Sequence, residues 1–198
     1  SQSYFLEYVN TTFRQITDGF IKEDLGMLHK AESTMRRKRE ELKNSRRKEM
    51  IGFRKIDPEV AMEKNTWFHL GRNSCEEILY CLRRIADPCE EHVDNNFVPL
   101  SKEQVKEYIP LRDTVLFLLR RTGKILQTDS YDEVDEVRRE AEELKDCLEK
   151  AREAQMQRMQ SSKENIAVAY LYLNLLQETR ELTSSLRHLL RASKGFRE

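Results

Sequence analysis

The chain has 198 residues, 35 of them basic and 35 acidic, with only six glycines and four prolines. Because this composition is rich in good helix formers and poor in helix breakers, it predicts an all-α protein. The balanced charge argues against a nucleic-acid partner, since such binders usually carry a basic excess. The longest apolar run, Val115–Leu119, is far shorter than the roughly 20 residues of a membrane-spanning helix, so we expect no span in this chain.

The first half of the sequence predicts three helices. Apolar residues recur at three- and four-residue spacing from Phe5 to Phe20, which is typical of one face of a helix. A second helix is predicted from Asp24 to near Gly52. The third follows Pro58, because proline suits the first turn, where its missing N–H would have no helical partner. A break is predicted at residues 94–99, which contain two asparagines and a proline.

The second half predicts three more helices. Ser101 and Gln104 have the spacing of a capping box and should begin the fourth helix. Pro110 is expected to bend that helix or to delay its start. A sixth helix is predicted from about Ser162 to Ala192. The fifth helix has the clearest heptads: Val134, Val137, Ala141, Leu144, Leu148 and Ala151.

The two halves show traces of an internal repeat. A shift of 104 positions places Leu82–Ile85 on Leu186–Leu189, and both segments begin with Leu-Arg. We therefore predict two tandem three-helix units, residues 1–97 and 98–198. Short connections between the helices predict antiparallel neighbours.

Two segments carry a resemblance to a known family. Tandem three-helix units whose third helix ends in Arg-Ile-x-Asp, here Arg84–Asp87, resemble the PhoU family of phosphate-uptake regulators. The segment Asn65–Leu100, which contains CEEILYCLRRIADPCEEHVDNNF, is similar to the PhoU-like cytoplasmic domain of bacterial sodium/phosphate cotransporters of the Na/Pi-cotransporter II type. The segment Phe20–Leu42 resembles the second helix of such domains. Elsewhere the similarity is a diffuse pattern over nearly the whole chain.

The resemblance implies a regulatory domain on the cytoplasmic face of the bacterial inner membrane. It would be attached to the transmembrane domain of a sodium-dependent phosphate transporter and would act by docking, without catalysis or a cofactor. The sequence opens with helical character already under way, so we expect a piece of a longer chain. Two alternatives stay open: a stand-alone PhoU-type regulator acting in trans, including as a homodimer, and a helical scaffold unrelated to phosphate.

The PhoU family binds metal through an acidic residue followed four positions later by Asp, near the end of the third helix of each unit. Here those positions hold Arg83 with Asp87 and Arg187 with Arg191. A guanidinium group cannot ligate a metal and repels a nearby cation. The resemblance therefore implies that the family's metal site is lost. These arginines are expected to pair instead with acids across the bundle, such as Asp24 or Glu32.

A weak divalent-metal site is the alternative interpretation of the same segment. Asp87 and Glu91 are four residues apart, and Cys89 and His92 three apart, so some of these ligands could share one helix face. Pro88 removes a helical hydrogen bond and is expected to bend or end the helix there. This favours an ordinary polar helix end, closed by His92, over a metal site.

The second helix carries a basic run, and two interpretations of it stay open. One is a solvated helix face with i,i+4 pairs such as Arg36–Glu40 and Arg37–Glu41. The other is a surface for anionic lipid or an acidic partner. RNA binding is disfavoured because no aromatic residues interrupt the run. We name this run the α2 basic face after the second predicted helix (α2, from Asp24 to near Gly52), and it comprises Arg36, Arg37, Lys38, Arg39, Arg46, Arg47 and Lys48.

No motif of enzyme chemistry is present. The sequence has no P-loop, GxGxxG, HExxH or Ser-His-Asp order, and its four histidines are scattered over different predicted helices. The four cysteines form no CxxC pair and are expected to be reduced and to pack in the core. A core role is likewise expected for four aromatic residues, with a docking surface for the transporter as the alternative: Trp67, Phe68, Tyr170 and Tyr172.

Overall fold

A computed structural model describes residues 2–52 and 58–197, and within them all side chains except those of residues 45–52, 58, 60, 61, 63 and 64. The described residues form six long helices and a short 3-10 turn at Tyr131–Glu133. This confirms the all-α prediction. The helices are α1 (Gln2–Ile21), α2 (Leu25–Gly52), α3 (Pro58–Asp94), α4 (Lys102–Thr128), α5 (Val134–Ser161) and α6 (Ile166–Arg197).

Two helices begin at the caps that the sequence predicts. The Asp24 carboxylate accepts a hydrogen bond from the backbone N–H of Met27 at 3.1 Å, which caps α2. The Ser101 hydroxyl accepts from the backbone N–H of Gln104 at 3.1 Å. The Gln104 side chain accepts in return from the Ser101 backbone at 2.9 Å. The capping box of α4 is therefore confirmed.

The end of α3 is fixed by a left-handed residue. Asn96 has a φ of 56°, a region that asparagine adopts more readily than most residues. The N–H of Phe97 donates to the carbonyl of His92 at 3.1 Å, and that of Asn96 to the carbonyl of Val93 at 3.0 Å. These two bonds form a Schellman motif, which satisfies carbonyls that the helix leaves open. The predicted break after Asp94 is confirmed.

The three helices of each half contact one another, and the most extensive contact joins α3 to α6 across the halves. α1 also packs along α4. One apolar cluster includes residues from all six helices, and the predicted heptad positions of α5 are buried in it. The division into repeats at residues 97 and 98 stays a prediction.

Helix α3 continues past Pro88 to Asp94, so the proline does not end the helix, and the expected bend at this position stays a prediction. Proline cannot donate to the carbonyl of Arg84, one turn earlier. The side-chain amide of Asn174 on α6 donates to that carbonyl instead, at 3.1 Å. A contact from another helix thus replaces the missing helical bond. Pro110 likewise lies inside α4 and does not delay its start, so a bend is the remaining prediction for it.

The N-terminal part of α3 lies close to the last turns of α6, and this close approach depends on a glycine. A Cβ atom at Gly195 would lie 2.4 Å from the indole ring of Trp67, well inside contact distance. Gly71 lies beside Ala192 in the same region. Small residues therefore let the indole lie against the α6 backbone.

Candidate functional site

A small cleft lies between α2 and α3, in the region that the sequence singles out. It brings the α2 basic face next to the altered acidic motif of α3. The lining residues are Glu32, Met35, Arg36 and Arg39 on α2 and Arg83 and Asp87 on α3.

Most charged side chains of this cleft form ion pairs with residues of the same helix. Arg83 Nε lies 3.3 Å from Asp87 Oδ2, and Arg36 Nη2 lies 3.2 Å from Glu32 Oε1. The prediction that Arg83 pairs across the bundle is therefore wrong, because its neighbour one turn away is within reach. Arg36 likewise pairs with the acid one turn before it, and not with Glu40.

A second polar cluster lies beside the cleft and joins the two helices. His29 Nε2 on α2 donates to Glu90 Oε1 on α3 at 2.8 Å. The pKa of Glu90 is raised, mainly by burial and then by its hydrogen bond with Glu32 and the negative charge of that residue. Asp87 raises this pKa further, whereas His29 lowers it. Sequence reasoning missed His29 and Glu90, although the spacings 29/32 and 87/90 place each pair on one helix face.

The predicted metal ligands point in different directions. Asp87 and Glu91 are exposed, and Asp87 is bound by Arg83. Cys89 is fully buried, and burial raises the pKa of its thiol far above the usual range. The His92 ring N–H donates to the carbonyl of Val98, which closes the helix end as predicted. Within residues 2–52 and 58–197, no group of three His, Cys, Asp or Glu side chains is arranged to hold a metal. The weak metal site stays a prediction.

The corresponding positions of α6 are also basic. Arg187 pairs with Glu142 of α5, so this arginine does bridge two helices, although not to an acid named from the sequence. Burial and the neighbouring charge of Arg138 lower the pKa of Arg187. Arg191 is exposed.

The α2 basic face is partly occupied by contacts within the bundle. Lys38 lies 3.3 Å from Glu41 and 5.3 Å from the ring centroid of Tyr8, and only 26% of its side chain is exposed. Arg37 is exposed. The side chains of Arg46, Arg47 and Lys48 lie outside the described residues. A role for this face in binding lipid or a partner stays a prediction.

A polar network that sequence reasoning missed connects α4, α5 and α6. Arg158 donates two hydrogen bonds to Glu107, at 3.0 and 3.3 Å, and two to Gln155, at 2.7 and 3.1 Å. Tyr172 donates to the same Glu107 carboxylate at 2.7 Å. Burial and this carboxylate raise the pKa of Tyr172. The network fixes three helices to one another and leaves few groups open to a ligand.

The aromatic and cysteine predictions have mixed outcomes. Tyr172 is buried, which confirms its core role, whereas Tyr170 is 62% exposed and its core prediction is wrong. Trp67 and Phe68 are half-buried. None of the four cysteines forms a disulfide, and burial raises the pKa of Cys81 to about 11. Cys75, Cys81 and Cys89 are buried as expected, but Cys147 is exposed because it faces outward from α5.

Comparisons with known proteins found no matching family model, curated protein or solved structure. None of the helices, over the residues described, combines the length and apolar character needed to cross a membrane. The family resemblance of Asn65–Leu100 stays a prediction.

Proposed function

We propose that the chain is a non-catalytic docking domain that regulates a membrane transporter. In particular, it is the PhoU-like cytoplasmic domain of a bacterial sodium-dependent phosphate transporter, attached to the transmembrane domain of the same polypeptide. The observation that carries this proposal is the resemblance of Asn65–Leu100 to the cytoplasmic domains of such transporters. The six-helix architecture supports it, because α1–α3 and α4–α6 each contact one another and α3 meets α6 between them.

Docking is favoured over catalysis because the polar side chains bind one another. In the α2–α3 cleft, Arg36 is bound to Glu32 and Arg83 to Asp87. In the second half, Arg158 and Tyr172 share one carboxylate. Each group therefore fixes helix position, and the proposed function needs no cofactor.

The α2 basic face is the proposed contact with the membrane surface or with the transporter. Each Lys or Arg close to an anionic bilayer contributes about 1 kcal/mol of attraction. Arg37 is exposed and Arg36 has 75% of its side chain exposed, so both can reach an anionic surface. The paired acids Glu32 and Glu41 reduce this attraction, which favours a weak and regulable contact.

An immunoblot of soluble and membrane fractions of the source cell, with an antibody raised to this domain, tests the proposal. We expect a band far above the 23.6 kDa of this chain, confined to the membrane fraction. Membrane vesicles from cells that lack the domain should then show altered sodium-dependent phosphate uptake. A soluble band close to the mass of the chain would contradict covalent attachment. It would favour the regulator acting in trans, or the scaffold.

A further inference from the structure

A cluster of basic side chains lies on the surface where α5 contacts α6. Arg187 of α6 and Lys145 of α5 both pair with Glu142, and the Lys145 nitrogen lies 3.6 Å from that carboxylate. Arg138 is one turn before Glu142 on α5 and is close enough to Arg187 for the two charges to repel each other. We call these four residues the α5–α6 basic cluster. Its three positive charges share one carboxylate, which leaves an excess of two positive charges.

The acidic residues near the cluster do not cancel this excess. Glu149, the next acid on this side of α5, is bound by an arginine of its own helix. Acids of α5 that face α4 are bound from that helix. Two further exposed acids are matched in charge by two exposed bases: Asp135 by Arg191 of α6, and Asp146 by Lys150 one turn later. The cluster therefore keeps its excess of positive charge.

Partial burial makes this excess more effective. Only 23% of the Arg187 side chain and 17% of the Lys145 side chain are exposed, so solvent screens their charges less than at an open surface. The buried Nε–H of Arg187 also has no hydrogen-bond partner in the part of the chain that the structure describes. Because a guanidinium group has five N–H donors, one carboxylate does not saturate it. Arg187 therefore has donors left for a second acceptor.

The chemistry of the cluster fits an oxyanion that carries two negative charges. A planar guanidinium group matches the spacing of two oxygens of a phosphate or a carboxylate, and a lysine ammonium adds a compact positive charge. A phosphate group carries about 1.5 to 2 negative charges at pH 7, which balances the excess of the cluster. A second carboxylate carries only one negative charge and would leave half of the excess unbalanced. The charge balance therefore favours a phosphate group.

We propose that the α5–α6 basic cluster binds a phosphate group, to which Arg138 and Arg187 donate hydrogen bonds from neighbouring helices while Lys145 adds a third positive charge. Glu142 keeps the cations together and competes with the phosphate group for Arg187. The phosphate group belongs either to a free anion or to the headgroup of a lipid, since both present the same oxygens. This site goes beyond the proposed regulatory function and does not depend on it.

An NMR titration of the full chain with inorganic phosphate, at constant ionic strength, tests the site. We expect saturable shifts of the Arg138 and Arg187 Nε–H signals, which added sodium chloride does not produce. Arg187→Gln should weaken binding by at least about tenfold, and Arg138→Gln several-fold, because each removes charge-assisted hydrogen bonds. Arg139→Gln is the matched control, because Arg139 is the next residue of α5 and pairs with Glu143 at the exposed surface. It should leave the affinity unchanged.

A second variant, Glu142→Gln, distinguishes a binding site from a cluster that only stabilises the helices. The substitution removes the negative charge that competes for Arg187, so the phosphate group should bind several-fold more tightly. A loss of structure would instead weaken binding, so the two explanations predict changes of opposite sign. Affinity that is unchanged or lower in Glu142→Gln, while the amide spectrum shows a folded chain, would overturn the proposal.

Vesicle flotation separates the two sources of the phosphate group. Binding to phosphatidic acid vesicles but not to phosphatidylcholine vesicles, lost in Arg187→Gln and kept in Arg139→Gln, would identify a lipid headgroup. Saturable shifts with inorganic phosphate, without such vesicle binding, would identify a free anion. The proposal would be overturned if neither probe binds, or if Arg187→Gln binds both as the unchanged chain does.

Discussion

Helices α2 and α5 are each the second helix of their half and each have 28 residues, yet they are attached to the bundle in different ways. α5 buries apolar residues along most of its length. Arg121 of α4 contacts two of its acids and Glu133 in the 3-10 turn before it, and Arg158 binds back to α4. Over its described side chains, α2 is held by a short run of buried apolar residues, by the His29–Glu90 contact, by the hydrogen bond from Arg72 to the Leu42 carbonyl, and by the contact of Lys38 with Tyr8.

This difference predicts that α5 keeps a fixed position in the bundle, whereas α2 can change its position. Apolar burial and bidentate arginine pairs do not change over the physiological pH range, so α5 should hold its position. Among the described side chains of α2, fewer apolar residues are buried than in α5. Helices with few buried contacts also open at lower free-energy cost. Movement of the bundle should therefore begin at α2.

The test with the largest expected effect on the free energy of unfolding truncates one buried side chain in each helix. Leu148→Ala in α5 should reduce the free energy of unfolding by about 3 kcal/mol, because Leu148 is 1% exposed in a continuous seam. Met35→Ala in α2 should cost about 2 kcal/mol, since methionine and its shorter seam adapt more readily. Urea unfolding of both variants measures these values. A greater loss in Met35→Ala would contradict the comparison.

The second test removes an arginine that joins α5 to α4. Arg158→Ala should reduce the free energy of unfolding by about 2 kcal/mol, because it leaves Glu107 with a single hydrogen-bond donor, Tyr172. Urea unfolding measures the loss. Arg152→Ala is the matched control on the same helix. Its pair with Glu149 is about 40% exposed on both sides and should contribute less than about 0.5 kcal/mol. Equal effects of the two variants would mean that the network adds nothing to α5.

Local features of the fold could be predicted from the sequence, whereas contacts between distant helices could not. The Ser101–Gln104 capping box and the stop after Asp94 depend on residues within one turn, so their patterns are sufficient. The continuation of α3 through Pro88 depends on Asn174, which lies 86 positions further along the chain. The same limit applies to the candidate site, because the contact between His29 and Glu90 depends on the register of α2 against α3.

The third test weakens a single contact of α2. Lys38→Met keeps the aliphatic chain but removes the charge that lies 5.3 Å from the Tyr8 ring centroid. We expect a loss of about 0.5 kcal/mol in the free energy of unfolding, which is typical of a partly exposed cation–π contact. Urea unfolding measures the loss. Lys43→Met, at a position two-thirds exposed and 4.0 Å from Glu40, should leave stability unchanged. A loss larger than that of Arg158→Ala would reverse the proposed ranking of the two helices.

The last test makes the smallest change to the chain. It compares how often the buried apolar faces of α2 and α5 open to solvent. Ala31→Cys in α2 and Ala151→Cys in α5 each place a small thiol at a buried position, in a chain whose exposed Cys147 is replaced by serine. A buried thiol reacts with an alkylating reagent only when its seam opens, so the labelling rate reports local opening. We expect the thiol at position 31 to react at least about tenfold faster than that at position 151, since each 1.4 kcal/mol of opening free energy changes the rate by that factor. The native thiols of α3 serve as internal references, because they stay buried in both variants. Equal rates at the two positions would show that α2 is held as firmly as α5, and that its fewer apolar contacts are compensated by the polar contacts with α3.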